Sequence, residues 1–271
     1  MRRFVLGLAA AVLFAGGLHA QSFTTGPCHD DEGNTHNNNW FSGHQVRVCE
    51  LRSTTLPLVN GQVRVEGKNG GIEVIGEDRK DIALEARVIA QSSSRDQAEA
   101  IVRQVKIKTG GTIEADGPGM SGWFSSNWQV NYRLRVPRHL AAQLETQNGG
   151  IEVENIDGKI DANTTNGGVG LHHLAGEVHA STVNGGLQVT LDGSQWRGTG
   201  LYAKSTNGGV SVTAPEHYSA HLVAGTVNGG ISVDFPGAVA GKSHHIDTNL
   251  GVGGPTVSFE TVNGGVSVDR E

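Results

Sequence analysis

The sequence predicts an all-β fold, a β-solenoid with one short α-helix inserted in its N-terminal part, and three observations carry that prediction. The tripeptide Asn-Gly-Gly recurs seven times, at Asn69, Asn148, Asn166, Asn184, Asn207, Asn228 and Asn263, each copy followed by Ile, Val or Leu. From Asn148 to Asn228 the copies lie 18, 18, 23 and 21 residues apart, the kind of period produced when one supersecondary unit stacks on itself. Apolar and polar residues alternate on both sides of every copy, which is the period-two signature of strands.

Taken in chain order, residues 1–20 have the parts of a secretory leader: Arg2 and Arg3, an apolar run from Phe4 to Phe14, then Gly16-Gly17 before Leu18-His19-Ala20. Cleavage after Ala20 is expected. The apolar run is too short to span a bilayer, and no later run reaches the roughly 20 residues a membrane helix needs. Without residues 1–20 the formal charge is 19 minus 27, or −8. A chain so acidic is not expected to bind nucleic acid through its phosphates.

Segment 21–57 holds both cysteines, and export to an oxidising compartment makes a Cys28–Cys49 disulfide the natural expectation. His29, Asp30, Asp31, Glu32 and His36 crowd the loop between them. A metal site there is the alternative to a solvated polar loop, but the four well-spaced ligands of a structural zinc site are not evident.

Region 58–140 begins with one repeat unit, because Val63 and Val65 precede Asn69 while Ile72 and Val74 follow it. Ile82, Leu84, Ala86 and Val88 alternate as a further strand. A helix over about 94–106 follows. Ser94 can cap it with Gln97 completing a capping box, and Ala98, Ile101, Val102 and Val105 recur at helical spacing. Short strands are expected near 112–115 and 128–136, separated by a Gly-rich loop carrying Trp123 and Phe124. That aromatic pair is either an exposed contact for a partner or glycan, or a cover folded over the end of the sheet.

Residues 141–271 form the main array. Positions three and five after each Asn are apolar, the position two before it is Thr or Ser in the later six copies, and the positions four and six before it are apolar or Ala. Equivalent side chains at equivalent positions suit units stacked in register at roughly 4.8 Å. Asn-Gly-Gly then reads as a corner, since two glycines permit positive φ and Asn tolerates the left-handed region. A second, looser corner is expected at Asp157-Gly158 and Ala175-Gly176. The same Asn-Gly signal also fits an antiparallel meander or β-sandwich built from hairpins. Asp269-Arg270-Glu271 would serve as a polar cap if the last unit closed the array.

Beyond these units, Cys49-Glu50-Leu51-Arg52 with Leu56-Pro57, the Gly76-Glu77-Asp78 turn, the inserted helix and the Trp196-Arg197-Gly198-Thr199-Gly200 insertion also carry a family likeness. Over roughly residues 47–269 the chain resembles the bacterial extracytoplasmic β-strand-repeat family labelled "putative adhesins", a family of unknown function. The resemblance implies a β-solenoid-like fold and export, and it implies no catalytic residue.

Catalytic signatures are lacking. No Gly-x-Ser-x-Gly elbow, His-Glu-x-x-His pair or phosphate-binding loop is present. The acids Glu152, Glu154, Asp161 and Asp234 are scattered, and the column that begins at Glu152 continues as Gly170, Gln188, Ser211, Ser232 and Ser267. Two acids on adjacent coils in one column, the arrangement a glycan-cleaving enzyme needs, are therefore not expected. His172, His173 and His179 suggest a metal only weakly, and Trp196 with Tyr202 form a candidate sugar-stacking patch. The leading expectation is a noncatalytic exported protein, periplasmic, cell-surface or secreted, that needs no cofactor. Its repetitive β surface would bind an envelope protein or glycan, or give structural support. A polysaccharide-binding or polysaccharide-active β-helix protein and a periplasmic metal-binding protein are the alternatives.

Overall fold

In the computed structural model, residues 22–28, 45–119, 127–235 and 244–271 are described. The expected leader, the polar loop 29–39 and the Trp123-Phe124 pair lie outside the described residues.

The chain forms strands β1 (Thr24–Pro27), β2 (Val46–Pro57), β3 (Gln62–Asn69), β4 (Ile72–Glu77) and β5 (Asp81–Ser92), then helix α1 (Arg95–Gln104). After the helix come β6 (Lys106–Lys108), β7 (Ile113–Asp116) and β8 (Asn127–Pro137). The array proper supplies β9 (Ala141–Asn148), β10 (Ile151–Glu154), β11 (Asp157–Asn166), β12 (Val169–His172), β13 (Ala175–Asn184) and β14 (Leu187–Thr190). It continues with β15 (Gly200–Asn207), β16 (Val210–Ala214), β17 (Ala220–Asn228), β18 (Ile231–Val233), β19 (His245–Leu250), β20 (Thr256–Asn263) and β21 (Val266–Arg270). The solenoid prediction holds and the antiparallel meander does not. The strand before each Asn-Gly-Gly joins one sheet, the strand after it joins a second, and equivalent strands pair in parallel, as Ile160 pairs with Val178 and Val169 with Leu187.

Two sheets face each other across a thin apolar layer. Val153, Val178, Leu201, Val212 and Val257 are essentially inaccessible to solvent. Alternation drives this, because a one-residue slip would turn every such side chain to water. Strands β3 and β4 pair with β9 and β10, so the Asn69 unit is the first rung of the same array. Beyond it, β8, β5, β2 and β1 extend the second sheet mostly antiparallel.

Corner chemistry differs from the expectation. Among the described residues, the non-glycine positive-φ positions are Asn60, Asn155 and His173, so no repeat Asn is left-handed. Each repeat Asn side chain instead bonds its neighbour on the next rung. Asn148 donates to Asn69, Asn166 to Asn148, Asn184 to Asn166, Asn207 to Asn184, Asn263 to Asn207 and Asn228 to Asn263, all at 2.7 to 2.9 Å. The first glycine is required by close approach: a Cβ on Gly149, Gly185 or Gly229 would sit 1.9 to 2.0 Å from a carbonyl oxygen of the adjacent rung. The buried Thr column completes the corner, as Thr182 Oγ1 donates to Gly167 O at 2.8 Å. Positive φ falls on glycines of this corner, Gly70, Gly167 and Gly208, and at the second corner on Asn155 and His173.

Rung order also departs from chain order. Strand β20 lies between β15 and β17, and β21 between β16 and β18. The chain therefore leaves the Asn207 rung, builds the Asn228 rung two places out, reverses through antiparallel β19, and returns to fill the gap with the Asn263 rung. Asp269, Arg270 and Glu271 are thus not the cap of an outer edge. Arg270 instead reaches Asp234 of the outer rung at 3.1 Å.

Helix α1 packs on β2 and β5. Ser94 caps it, but Gln97 does not close a capping box: its Oε1 accepts from the Ser92 and Ser93 hydroxyls at 2.8 and 2.9 Å. Arg52 donates to Val102 O at 2.7 Å and to Val105 O, which satisfies the carbonyls left open at the helix end. The Cys28–Cys49 disulfide forms, with a Cα–Cα distance of 5.7 Å.

Candidate functional site

The outer face of the second sheet carries a shallow groove of about 890 Å³. Its floor is the column of second glycines, among them Gly168, Gly186 and Gly209, which leaves the backbone uncovered. Beside it runs the outward position four residues after each Asn. In spatial order this column reads Glu73, Glu152, Gly170, Gln188, Ser211, Ser267, Ser232. From the Asn148 rung to the Asn228 rung the groove crosses six rungs, a span of about 24 Å at the strand spacing.

At its N-terminal end the groove meets a second cavity of about 470 Å³, and Gly150 and Glu152 line both. This end is charged by Glu73, Glu85, Arg87 and Arg133. Glu73 and Glu152 are register partners on adjacent strands. The absence of paired acids expected from the sequence is therefore corrected: the neighbour of Glu152 in its column on the upstream side is Glu73, 79 residues away in the chain, before the inserted helix. The two carboxylates turn apart, Glu73 to Arg133 at 3.2 Å and Glu152 to His172 Nε2 at 2.6 Å.

His172 also meets Thr190 Oγ1 through Nδ1 at 3.0 Å, so Glu152, His172 and Thr190 form a chain across three rungs. Gly170 makes room for it, because a Cβ there would lie 2.2 Å from the Glu152 carboxylate. A hydroxyl, an imidazole and a carboxylate in series are the components of nucleophile activation. No oxyanion hole accompanies them, since nearby N–H groups such as those of His173 and Leu191 are spent on neighbouring-rung carbonyls.

Among the aromatic candidates, Trp196 is 3% exposed and donates through Nε1 to Gly176 O at 3.1 Å, so it covers the insertion and is no surface contact. Tyr202, by contrast, is 40% exposed on the outer face of the first sheet and stacks on His179 at 5.0 Å. His179 Nε2 contacts Glu177 at 3.2 Å, and Glu177 takes a hydrogen bond from Lys159. The bond from Lys159, seconded by that from His179, holds the Glu177 carboxyl below its usual range. No group of three or more His, Cys, Asp or Glu side chains suited to a metal occurs among the described residues. The seven repeat Asn residues lie at the corners, where they form the amide ladder.

Two buried phenols stand apart from these surfaces. Burial pushes the Tyr132 and Tyr218 hydroxyls upward from their ordinary titration range. Tyr132 Oη is the one buried side-chain polar atom without a hydrogen-bond partner among the described residues.

Residues 138–233 match the family described as Toastrack DUF4097. No curated protein matches the chain. Among solved structures, a "putative cell adhesion protein" from Clostridium sporogenes ATCC 15579 shares 12% identity, with 82% of this chain and 99% of that chain covered and a TM-score of 0.45. A "putative adhesin" from Bacteroides fragilis NCTC 9343 shares 10%, over 82% and 97% of the chains, with a TM-score of 0.40. A "putative lipid binding protein" from Parabacteroides distasonis ATCC 8503 shares 13%, over 82% and 96%, with a TM-score of 0.37.

Proposed function

Taking as premise that residues 138–233 match the Toastrack family, we propose that the protein is a noncatalytic binding module that works outside the cytoplasm and holds an extended polysaccharide along the groove of the second sheet. The groove itself carries this reading. It sets a bare glycine peptide on every rung and, on the four consecutive rungs from Asn184 to Asn228, the Gln188 amide or a Ser hydroxyl beside it. A floor of that kind offers evenly spaced donors and acceptors to a polymer without demanding a fixed end. The Cys28–Cys49 disulfide supports an oxidising compartment. No helix among the described residues is long and apolar enough to cross a membrane. Envelope association and the leader at residues 1–20 belong to this proposal.

A glycan-cleaving enzyme is the second reading, favoured by Glu73 and Glu152 in one column and by the Glu152–His172–Thr190 chain. Binding without cleavage is preferred because both acids are exposed, 39% and 51% by side chain, and each faces a basic partner. A general acid is normally kept protonated by burial. The test is retention of the mature protein on insoluble polysaccharides and on a glycan array, with reducing ends assayed in parallel. Retention that disappears in Ser211→Trp/Ser267→Trp, without new reducing ends, is the expected result. Equal retention by that variant, or retention by no glycan, refutes the groove, and released reducing ends establish the enzyme.

A further inference from the structure

We propose that the outer face of the first sheet, opposite the groove, holds a separate subsite for one pyranose ring of a glycan, with Tyr202 as its platform. Strand register builds it. One rung on from Tyr202 stands Ser258, and one rung further stands Val223. The rung between them thus carries only a hydroxymethyl group beside the Tyr202 ring. Two strand spacings separate the phenol plane from Val223, about 9.6 Å, which leaves room for one ring at the same spacing as a side chain of the missing rung.

Tyr202 is fixed before any ligand arrives. His179 covers one face at 5.0 Å with the planes 10° apart. Gly200 lets the phenol lie back along its own strand, since a Cβ there would be 3.2 Å from Cε2 and 3.4 Å from Oη. The other face looks over the strand that carries Thr256 and Ser258, partners of Gly200 and Tyr202. Holding the ring in place lowers the ordering cost of binding.

Polar groups surround the open face on the sides a sugar would need. Lys204 and Glu260 pair at 3.3 Å along one edge, offering a donor beside an acceptor. Along the other edge His221 contacts Asp247 at 3.5 Å and Asn249 at 3.2 Å. An aromatic face with hydroxyl, carboxylate, ammonium and imidazole groups at neighbouring strand positions matches a pyranose, whose C–H face stacks on the ring while its hydroxyls donate and accept. A planar aromatic ligand would use the stacking but leave the paired donors and acceptors unmatched.

The site shares no residue with the groove, so it stands or falls independently of the polysaccharide proposal. The probe is a panel of methyl pyranosides (hexoses, N-acetylhexosamines, 6-deoxyhexoses) and their short oligomers, titrated against the full mature protein by saturation-transfer NMR and calorimetry. At least one sugar is expected to bind, with its ring C–H protons receiving the transfer. Tyr202→Ala should weaken that binding about tenfold, as truncating an aromatic anchor does. Ser258→Tyr, which fills the slot, should abolish it, and Tyr202→Phe should retain it. Circular dichroism and thermal melts verify folding, and Tyr202→Phe retains a readout if Tyr202→Ala does not fold. The proposal is overturned if no pyranoside binds, if binding survives both Tyr202→Ala and Ser258→Tyr, if only Ser211→Trp removes it, or if an aromatic peptide binds in place of sugar.

Discussion

Gly185→Ala tests the claim that the first glycine of each repeat is there for close approach. Gly185 lies outside the positive-φ set, so its backbone conformation is open to any residue. A Cβ on it would nevertheless stand 2.0 Å from Gly167 O, whereas ordinary contact begins at 3.4 Å. Relief by separation requires the Asn166 and Asn184 rungs to part locally by the difference, 1.4 Å. Four bonds join those rungs at this corner: Gly167 N to Asn184 O at 3.0 Å, Val169 N to Gly186 O at 3.0 Å, Asn184 Nδ2 to Asn166 Oδ1 at 2.9 Å, and Thr182 Oγ1 to Gly167 O at 2.8 Å. Each exceeds hydrogen-bond range after such a shift, and at about 1 kcal/mol apiece the loss is about 4 kcal/mol. Gly186→Ala is the control. Its Cβ would lie 3.3 Å from Gly209 O, a contact relieved by about a tenth of an ångström, so its cost should stay below about 1 kcal/mol. Urea unfolding followed by circular dichroism compares the two variants at constant m. Equal costs within 1 kcal/mol, or a stable Gly185→Asn, would refute close approach and restore the left-handed corner.

Four further outcomes follow from other contacts of the fold. Asn184→Ala removes a donor to Asn166 and an acceptor for Asn207 and should cost about 1 to 2 kcal/mol. Asn184→Asp should cost more at pH 7, where a carboxylate faces the Asn166 oxygen, and should recover below about pH 4 as the acid regains a proton to donate, both read from thermal melts across pH. Tyr132→Phe should be neutral or stabilising by about 1 kcal/mol, because it deletes an unpartnered buried hydroxyl. The folded Tyr132 hydroxyl titrates above its unfolded value. Its contribution is therefore complete below about pH 10 and lost as pH rises beyond it, and Tyr132→Phe should flatten that alkaline fall. Breaking the Cys28–Cys49 bond, which closes a sequence separation of 21, should lower stability by about 3 kcal/mol. Melting with and without reductant, using Cys28→Ser/Cys49→Ser as control, measures it.

Much of the site was legible only in part. Tyr202 stood out as an outward aromatic, but its stacking on His179 and the short Ser258 beyond it depend on which rungs are neighbours. Trp196, its partner in the candidate sugar-stacking patch, is buried, because the insertion folds its indole onto Gly176 O. The Glu73–Glu152 pair joins residues separated by an inserted helix and five further strands. Its signal was nevertheless present, since both acids stand four residues after a repeat Asn.

By itself the sequence determined the strand–corner–strand unit and its inward columns, because a one-residue slip would turn the inward Val, Ile and Leu side chains to water. Parallel pairing, which the sequence left open beside an antiparallel meander, stacks Asn on Asn and Gly on Gly at the corners. Tertiary structure decided the order of the rungs. The Asn207, Asn228 and Asn263 units present nearly the same columns, so each can pair with either of the others, and local pattern does not distinguish them. The reversal at β19, which pairs antiparallel with β17, carries the chain back and places the last rung inside the array. That placement sets Ser258 between Tyr202 and Val223 and Ser267 between Ser211 and Ser232, so the outward surfaces proposed to bind were composed by long-range pairing.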